Sequence, residues 1–163
     1  MELRHIRLVG VDLDGTLLTD NKTLSPRTKE AIAAAAAQGV HIVPITGRPF
    51  VGVPDCIRTL DEIEYVISSN GAQITESKTG KSVASFAISN EKSRRIIAAL
   101  RRLDCLFEPF ADGVGYAEEN VLSHYIATYI GTPIEDYIFS SRRVCDNYET
   151  LFDGTGKCAD EFF

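Results

Sequence analysis

Val11-Asp12-Leu13-Asp14-Gly15-Thr16-Leu17 decides the fold, because it directly follows an apolar run that predicts a strand over residues 5–11. Side chains alternate along a strand, so we expect Asp12 and Asp14 to project from the same face. If the strand is parallel and central, its carboxyl end is where open α/β sheets bind ligands. Gly15 allows the chain to turn sharply away from the two acids. The stretch therefore predicts an acidic ligand site at one end of an α/β sheet.

Two carboxylates at one strand end favour phosphate chemistry that uses a cation. Crowded carboxylates repel each other, and a bound Mg²⁺ would neutralise them and attract an anionic substrate. One Asp can attack phosphorus to form an aspartyl-phosphate, while the other protonates the leaving oxygen and later activates water. A simple Asp/Gly turn after an edge strand is the structural alternative.

Three motifs resemble those of one enzyme family. Asp12-Leu13-Asp14-Gly15-Thr16 resembles the first motif of the haloacid dehalogenase superfamily of phosphatases. Thr46-Gly47-Arg48-Pro49, after the apolar residues 41–45, resembles its second motif. Val66-Ile67-Ser68-Ser69-Asn70-Gly71-Ala72-Gln73-Ile74 is similar to a strand and turn of the Cof-type subfamily. That subfamily carries a large α/β (type IIB) cap and mostly hydrolyses sugar phosphates and related small phosphomonoesters.

The resemblance implies a Mg²⁺-dependent phosphatase with assigned roles for four residues. Asp12 is the implied nucleophile and metal ligand. Asp14 is the implied general acid/base, and its backbone carbonyl also binds the metal. Thr46 and Gly47 are implied to hold the transferring phosphoryl group. The implied partner is therefore a small phosphorylated metabolite, although the particular substrate does not follow from these residues.

Three further residues resemble positions that line the substrate site: Arg48, Asn70 and Gly71. Each also has a purely structural interpretation. Arg48 could brace its loop by pairing with an acid, and Asn70-Gly71 could simply turn the chain.

The order of predicted elements indicates an α/β fold with a doubly wound, Rossmann-like parallel sheet that is incomplete. The first predicted elements are a helix at 25–38, capped by Ser25, a strand at 40–45, a helix at about 49–60 and a strand at 64–68. Pro54 would disrupt the second helix unless this helix starts near Pro54. The resemblance implies that residues 1–82 are the N-terminal part of the core domain. Residues 83–163 would then form part of an α+β cap.

The remaining pattern predicts a passage into this cap. We expect strands at 72–76 and 82–88, a helix starting at Ser89 or Asn90, strands at 105–110 and 114–117, and a helix at 120–130. Ile96, Leu100 and Leu103 share one face of the first of these helices, and its arginines are expected to be solvated. From residue 133 the pattern is ambiguous.

Two later motifs of the family, a Lys and a Gly-Asp-x-x-Asn-Asp sequence, are not found among the 163 residues. Lys157 follows glycines, but no strand with paired acids comes after it. We therefore expect an N-terminal piece of a phosphatase. A non-catalytic phosphate- or protein-binding remnant is the alternative of a different class, and a phosphomutase is the enzymatic alternative.

Composition adds weaker predictions about location and partners. The net charge is −6, and no basic stripe with interleaved aromatic residues suggests a nucleic-acid partner. No secretory signal or membrane-length apolar run is apparent, so a cytoplasmic location is expected. Four cysteines lack Cys-x-x-Cys spacing and are expected to be reduced thiols: Cys56, Cys105, Cys145 and Cys158.

Overall fold

The computed structural model describes residues 6–163, which divide into two compact units. The first unit ends at Ser85 and the second begins at Phe86. Residue 5, where the first predicted strand starts, lies outside the described residues. The division predicted after residue 82 falls slightly earlier than the one in the structure. That the two units are parts of a core and of a cap stays a prediction.

The first unit contains a five-stranded mixed sheet, which confirms the α/β class. Its strands, in spatial order, are β1 (Leu8–Asp12), β2 (His41–Ile45), β3 (Tyr65–Ser68), β4 (Gln73–Glu76) and β5 (Ser82–Ser85). The pairs β1–β2 and β2–β3 are parallel, whereas β3–β4 and β4–β5 are antiparallel. The two strands that we predicted as a passage into the cap therefore extend the sheet of the first unit.

Two helices belong to this unit, α1 (Pro26–Ala36) and α2 (Asp55–Arg58). The predicted cap of α1 is confirmed, because the Ser25 hydroxyl accepts the backbone N–H of Thr28 at 3.1 Å. The full span of 49–60 is wrong for the second helix, and the alternative start near Pro54 is confirmed. A short 3-10 turn at Phe50–Gly52 precedes α2 instead, since Pro54 cannot donate within a continuous helix.

The core of the first unit lies between its sheet and its helices. Its buried members come from the turn after β1, from both helices, from β2 and β3 and from the segments that connect these elements: Leu13, Leu18, Leu24, Ile32, Ile42, Val53, Ile57, Ile63 and Val66. β1 itself is not central among the described residues, because it forms one edge of the sheet. Leu8 is 60% exposed and Val9 is 38% exposed. Within residues 6–163, β1 therefore does not have the central place in the sheet that was considered for it.

The second unit has a four-stranded sheet and four helices within the described chain. Its elements are α3 (Asn90–Leu100), β6 (Pro109–Ala111), β7 (Val114–Ala117), α4 (Glu119–Tyr129), α5 (Glu135–Ser140), β8 (Arg142–Val144), α6 (Tyr148–Phe152) and β9 (Glu161–Phe162). The spatial order of the strands is β8-β7-β6-β9. In the helices that the structure describes, no segment is long and apolar enough to cross a membrane.

The buried face of α3 differs from the predicted one. Ile97 is fully buried, whereas Leu103 lies beyond the end of the helix and is 61% exposed. Arg101 is exposed, as predicted, and it also forms ion pairs with Glu118 and Glu149. The polar groups of this unit are therefore part of its packing, which apolar periodicity alone does not indicate.

Candidate active site

The predicted site residues of the first unit lie at the carboxyl ends of the three parallel strands. Asp12, the last residue of β1, is in register with Ile45 at the end of β2. Ile45 is in turn in register with Ile67 of β3. Because Thr46 directly follows Ile45, the first and second motifs meet at one end of the sheet, where α/β folds bind ligands.

The two acids of the first motif do not lie on one continuous strand. β1 ends at Asp12, and Leu13–Leu17 form a turn in which Asp14 is extended, at φ −79° and ψ 119°. Buried and exposed side chains still alternate as expected, since Leu13 is fully buried and the acids on either side of it are exposed. Gly15 adopts φ +76°, so the predicted sharp turn is confirmed.

Asp12 has a neutral hydrogen-bond partner from its own motif. The Thr16 hydroxyl donates to Asp12 Oδ2 at 3.1 Å, and Asp12 is exposed. This contact orients the carboxylate without neutralising its charge. An oriented, accessible carboxylate at the end of a strand is suited to attack phosphorus or to bind a cation.

Asp14 instead lies between two cations. Arg48 donates from Nε to Oδ2 at 2.7 Å and from Nη2 to Oδ1 at 2.8 Å, and Lys22 Nζ donates to Oδ1 at 2.8 Å. These hydrogen bonds, chiefly those from Arg48, lower the pKa of Asp14 from 3.8 to about 2, against the effect of burial. Arg48 also donates from Nη1 to the Gly52 carbonyl at 2.9 Å. These contacts are the ones expected if Arg48 braces its loop by pairing with an acid, which is the structural interpretation of this residue.

The loop after β2 holds Thr46 by hydrogen bonds of its backbone and its hydroxyl. Thr46 is buried, its N–H donates to the Ile67 carbonyl at 2.9 Å, and its hydroxyl accepts the N–H of Arg48 at 3.1 Å. A hydroxyl that accepts one hydrogen bond can still donate its own hydrogen. Thr46 is thus fixed by its backbone while its O–H group can serve an anion.

The Asn70 loop packs directly on this segment. Asn70 N–H donates to the Thr46 carbonyl at 3.2 Å. Ser69, Asn70 and Gly71 all have positive φ, and the loop joins the antiparallel strands β3 and β4. Gly71, with φ +97°, fits its turning role, while Asn70 also covers Gly47. A role of either residue in binding substrate stays a prediction.

The contact between Gly47 and Asn70 yields a testable coupling. A Cβ added at Gly47 would lie 3.0 Å from Asn70 Oδ1 and 3.3 Å from Nδ2. We expect Gly47→Ala to lower the free energy of unfolding by about 1 kcal/mol through overpacking. In an Asn70→Gly background, which also suits the positive φ, this cost should largely disappear. Urea unfolding of both single variants and the double variant measures the coupling. Simply additive effects would contradict the contact.

The oxygen atoms of Asp12 and Asp14 are suitable ligands for part of a Mg²⁺ site. Mg²⁺ prefers oxygen ligands and usually keeps several waters beside one or two protein carboxylates. The Asp12 carboxylate and the Asp14 backbone carbonyl are such oxygens, whereas the Asp14 carboxylate is engaged by Arg48 and Lys22. Within residues 6–163, no cluster of three or more His, Cys, Asp or Glu side chains could hold a metal ion. The described residues therefore fit a Mg²⁺ site to which they contribute two ligands and in which other coordination positions stay open.

Sequence reasoning missed Lys22 as a neighbour of Asp14. It lies eight residues further along the chain, in a turn at φ 58°, and no motif marks it. Its contact depends on the path of residues 19–23, which hydrophobic periodicity does not predict.

Comparisons with known proteins agree with this geometry. A family model described as haloacid dehalogenase-like hydrolase matches residues 9–153. A Streptococcus pyogenes serotype M6 protein provisionally named a phosphatase is 42% identical over 84 residues, covering 48% of this chain and 30% of that protein. The pyridoxal phosphate phosphatase YbhA of Escherichia coli strain K12 is 30% identical over 115 residues, covering 69% of this chain and 39% of that protein.

A solved structure shows the same fold. A haloacid dehalogenase-like hydrolase from B. subtilis matches with a TM-score of 0.76 at 22% identity, covering 94% of this chain and 59% of that chain. The matched segments thus span 30%, 39% and 59% of the three proteins compared.

Proposed function

The chain belongs to the haloacid dehalogenase-like hydrolases, and from this premise we propose that it supplies the phosphoryl-accepting residues of a Mg²⁺-dependent phosphatase. The proposed substrates are small phosphomonoesters, with sugar phosphates as the first candidates. The observation that carries the proposal is the different surroundings of the two acids. A neutral hydroxyl orients Asp12, whereas two cations hold Asp14. Such a difference is typical of two carboxylates with separate chemical roles.

In the first proposed step, an Asp12 carboxylate oxygen attacks phosphorus. The bond from phosphorus to the leaving oxygen breaks, and that oxygen takes a proton from Asp14. In the second step, water attacks the phosphorylated Asp12, gives its proton to Asp14 and releases inorganic phosphate. The first step starts from protonated Asp14, and the proton from water restores this form in the second step. Arg48 and Lys22, which lower the pKa of Asp14, hold the ionised form that exists between the two steps. Atoms and charges balance over the two steps.

Thr46 and Gly47 are proposed to hold the phosphoryl oxygens during both steps. The O–H of Thr46 and the N–H of Gly47 are donors of the kind that stabilise charge on a transferring phosphoryl group. Their support comes from the fixed backbone of Thr46 and from the packing of Asn70 on Gly47. Bound Mg²⁺, held by the Asp12 carboxylate and the Asp14 carbonyl, would neutralise charge at the phosphoryl group.

We also propose that a further strand, packed beside β1, completes the site. The support is the exposed edge of the sheet at β1, where Leu8 is 60% exposed and the strand has no partner on its outer side among the described residues. A strand packed there would lie beside Asp12. It could supply the missing cationic and acidic groups from the same polypeptide or from another one.

The substrate class rests on the Cof-type resemblance and on the names of relatives. Pyridoxal phosphate, the substrate in the name of the E. coli relative, is itself a small phosphomonoester. Selection of the leaving group by a cap is what the resemblance to a capped subfamily implies. A cytoplasmic location stays a prediction.

Phosphate release from a panel of sugar phosphates and p-nitrophenyl phosphate tests the proposal. The chain is assayed with Mg²⁺ and with EDTA, after circular dichroism has shown that it is folded. Mg²⁺-dependent release supports the phosphatase. Affinity for inorganic phosphate without turnover supports the non-catalytic binding remnant. Accumulation of a bisphosphate supports the phosphomutase.

A further inference from the structure

Lys22 occupies an unusual backbone conformation in a tight turn after the first motif. Thr19 N–H donates to the Thr23 carbonyl at 2.9 Å, and Lys22 N–H donates to the Thr19 carbonyl at 2.9 Å. Lys22 has φ 58°, a region that favours Gly, Asn and Asp over residues with long side chains. The geometry of the turn therefore does not explain a lysine at this position.

The side chain of Lys22 reaches the acid/base candidate. Its Nζ lies 2.8 Å from Asp14 Oδ1, and the two side chains are 33% and 37% exposed. The Lys78–Asp61 pair of the same unit is far more open, with side chains that are 57% and 86% exposed. Exposed ion pairs do little to orient their side chains. Lys22, in contrast, binds a carboxylate that already accepts two hydrogen bonds from Arg48.

The three contacts divide the acceptor positions of Asp14 unequally. A carboxylate has about four lone-pair positions, two on each oxygen. Oδ1 accepts from Arg48 Nη2 and from Lys22 Nζ, whereas Oδ2 accepts from Arg48 Nε. Among the contacts of the described residues, Lys22 thus fills the second position on Oδ1. The remaining lone-pair position lies on Oδ2.

We propose that Lys22 is a positioning residue of the phosphatase site, which assigns proton transfer to Oδ2 of Asp14. This inference rests on the proposed function, because it concerns the group that protonates the leaving oxygen and takes a proton from water. Without Lys22, Oδ1 keeps only its Arg48 donor and has an open position like that of Oδ2, so proton transfer is no longer confined to one oxygen. The expected defect therefore lies in turnover rather than in substrate binding.

Lys22→Met tests this role because it removes the ammonium group and keeps the length of the side chain. We expect kcat to fall by about 10- to 100-fold, as for other small misplacements of a reacting group, while KM changes by less than about twofold. Lys22→Arg should recover most of kcat, since it restores a donor to Oδ1. Lys78→Met is the matched control, because it removes a lysine–aspartate pair of the same unit.

Two further measurements separate positioning from stability. Lys22→Gly relieves the positive φ, so its melting temperature should equal or exceed that of the parent chain while its kcat falls as in Lys22→Met. In an Asp14→Asn background, Lys22→Met should add little further loss, because both substitutions act on the same proton transfer.

The outcomes distinguish this inference from the proposed function. If turnover requires Asp12 but Lys22→Met retains the kcat of Lys78→Met, the positioning role is overturned and the phosphatase proposal stands. A KM defect with unchanged kcat overturns it too, since Lys22 would then bind substrate. If the parent shows neither Asp12-dependent turnover nor an Asp12-dependent rise in melting temperature with BeF₃⁻ and Mg²⁺, the proposed function fails and this inference fails with it.

Discussion

Asp12→Asn is expected to reduce Mg²⁺-dependent phosphate release by about 10³-fold or more. An amide oxygen is a far weaker nucleophile than a carboxylate, and the neutral side chain also loses its attraction for a cation. Steady-state phosphate release measures the effect. The fold should survive the substitution, because Asp12 is exposed and its Thr16 contact does not require a charge.

Asp61→Asn is the matched control for this variant. Asp61 is an exposed carboxylate of the same unit that pairs with Lys78, so its loss should leave turnover unchanged. Phosphate release by Asp12→Asn at the level of Asp61→Asn would remove Asp12 from the nucleophile role. If Asp12→Asn loses phosphate release and Asp61→Asn keeps it, the reaction takes place at the end of β1.

Asp14→Asn should have the second largest effect, a loss of turnover of about 10²–10⁴-fold. An amide can neither give a proton to the leaving oxygen nor take one from water. The substitution also leaves Arg48 and Lys22 without their shared carboxylate, so the melting temperature should fall as well. Thermal unfolding and steady-state kinetics of this variant measure the two effects separately.

A second variant distinguishes lost proton transfer from a damaged fold. Arg48→Met breaks the same ion pair but leaves the Asp14 carboxylate in place. If Asp14→Asn lost no more turnover than Arg48→Met at a similar melting temperature, Asp14 would serve as a structural partner of Arg48. A clearly larger loss in Asp14→Asn would support its role as acid and base.

Much of the first unit follows from local sequence. Ser25 and Pro26 mark the start of α1, and the apolar residues 41–45 form β2 as expected. These signals act over a few residues, so they do not depend on distant packing. The span from 49 was wrong for the second helix for an equally local reason, because Pro54 marks its start, as the alternative prediction stated. Local chemistry therefore accounts for both the success and the error.

The site was predictable as a set of residues but not as a set of contacts. The motifs indicated Asp14 and Arg48 separately. That Arg48 braces its loop follows only from its contact with Asp14, which lies 34 positions away in the sequence. Lys22 had no signal, since its contact is made through a turn of positive φ. Strand alternation was also an incomplete guide, because β1 ends at Asp12 and a turn carries Asp14.

The second unit was less predictable because charged groups contribute to its interior. Glu108 and Arg142 form a buried ion pair at 2.8 Å, although such residues are almost always exposed unless they are paired. β8 pairs in parallel with β7, and β9 pairs with β6. These short strands exist through contacts between distant segments, so the ambiguity after residue 133 reflects tertiary packing.

Binding of BeF₃⁻ with Mg²⁺ tests most directly whether Asp12 accepts the phosphoryl group. Melting temperatures are measured for the parent chain and for Asp12→Ala, with and without the two ions. At 100 times Kd, a ligand adds about 2.7 kcal/mol, so we expect a rise of about 5 °C or more in the parent. No rise is expected in Asp12→Ala. An equal rise in both proteins, or none in the parent, would contradict an acyl-phosphate site at Asp12.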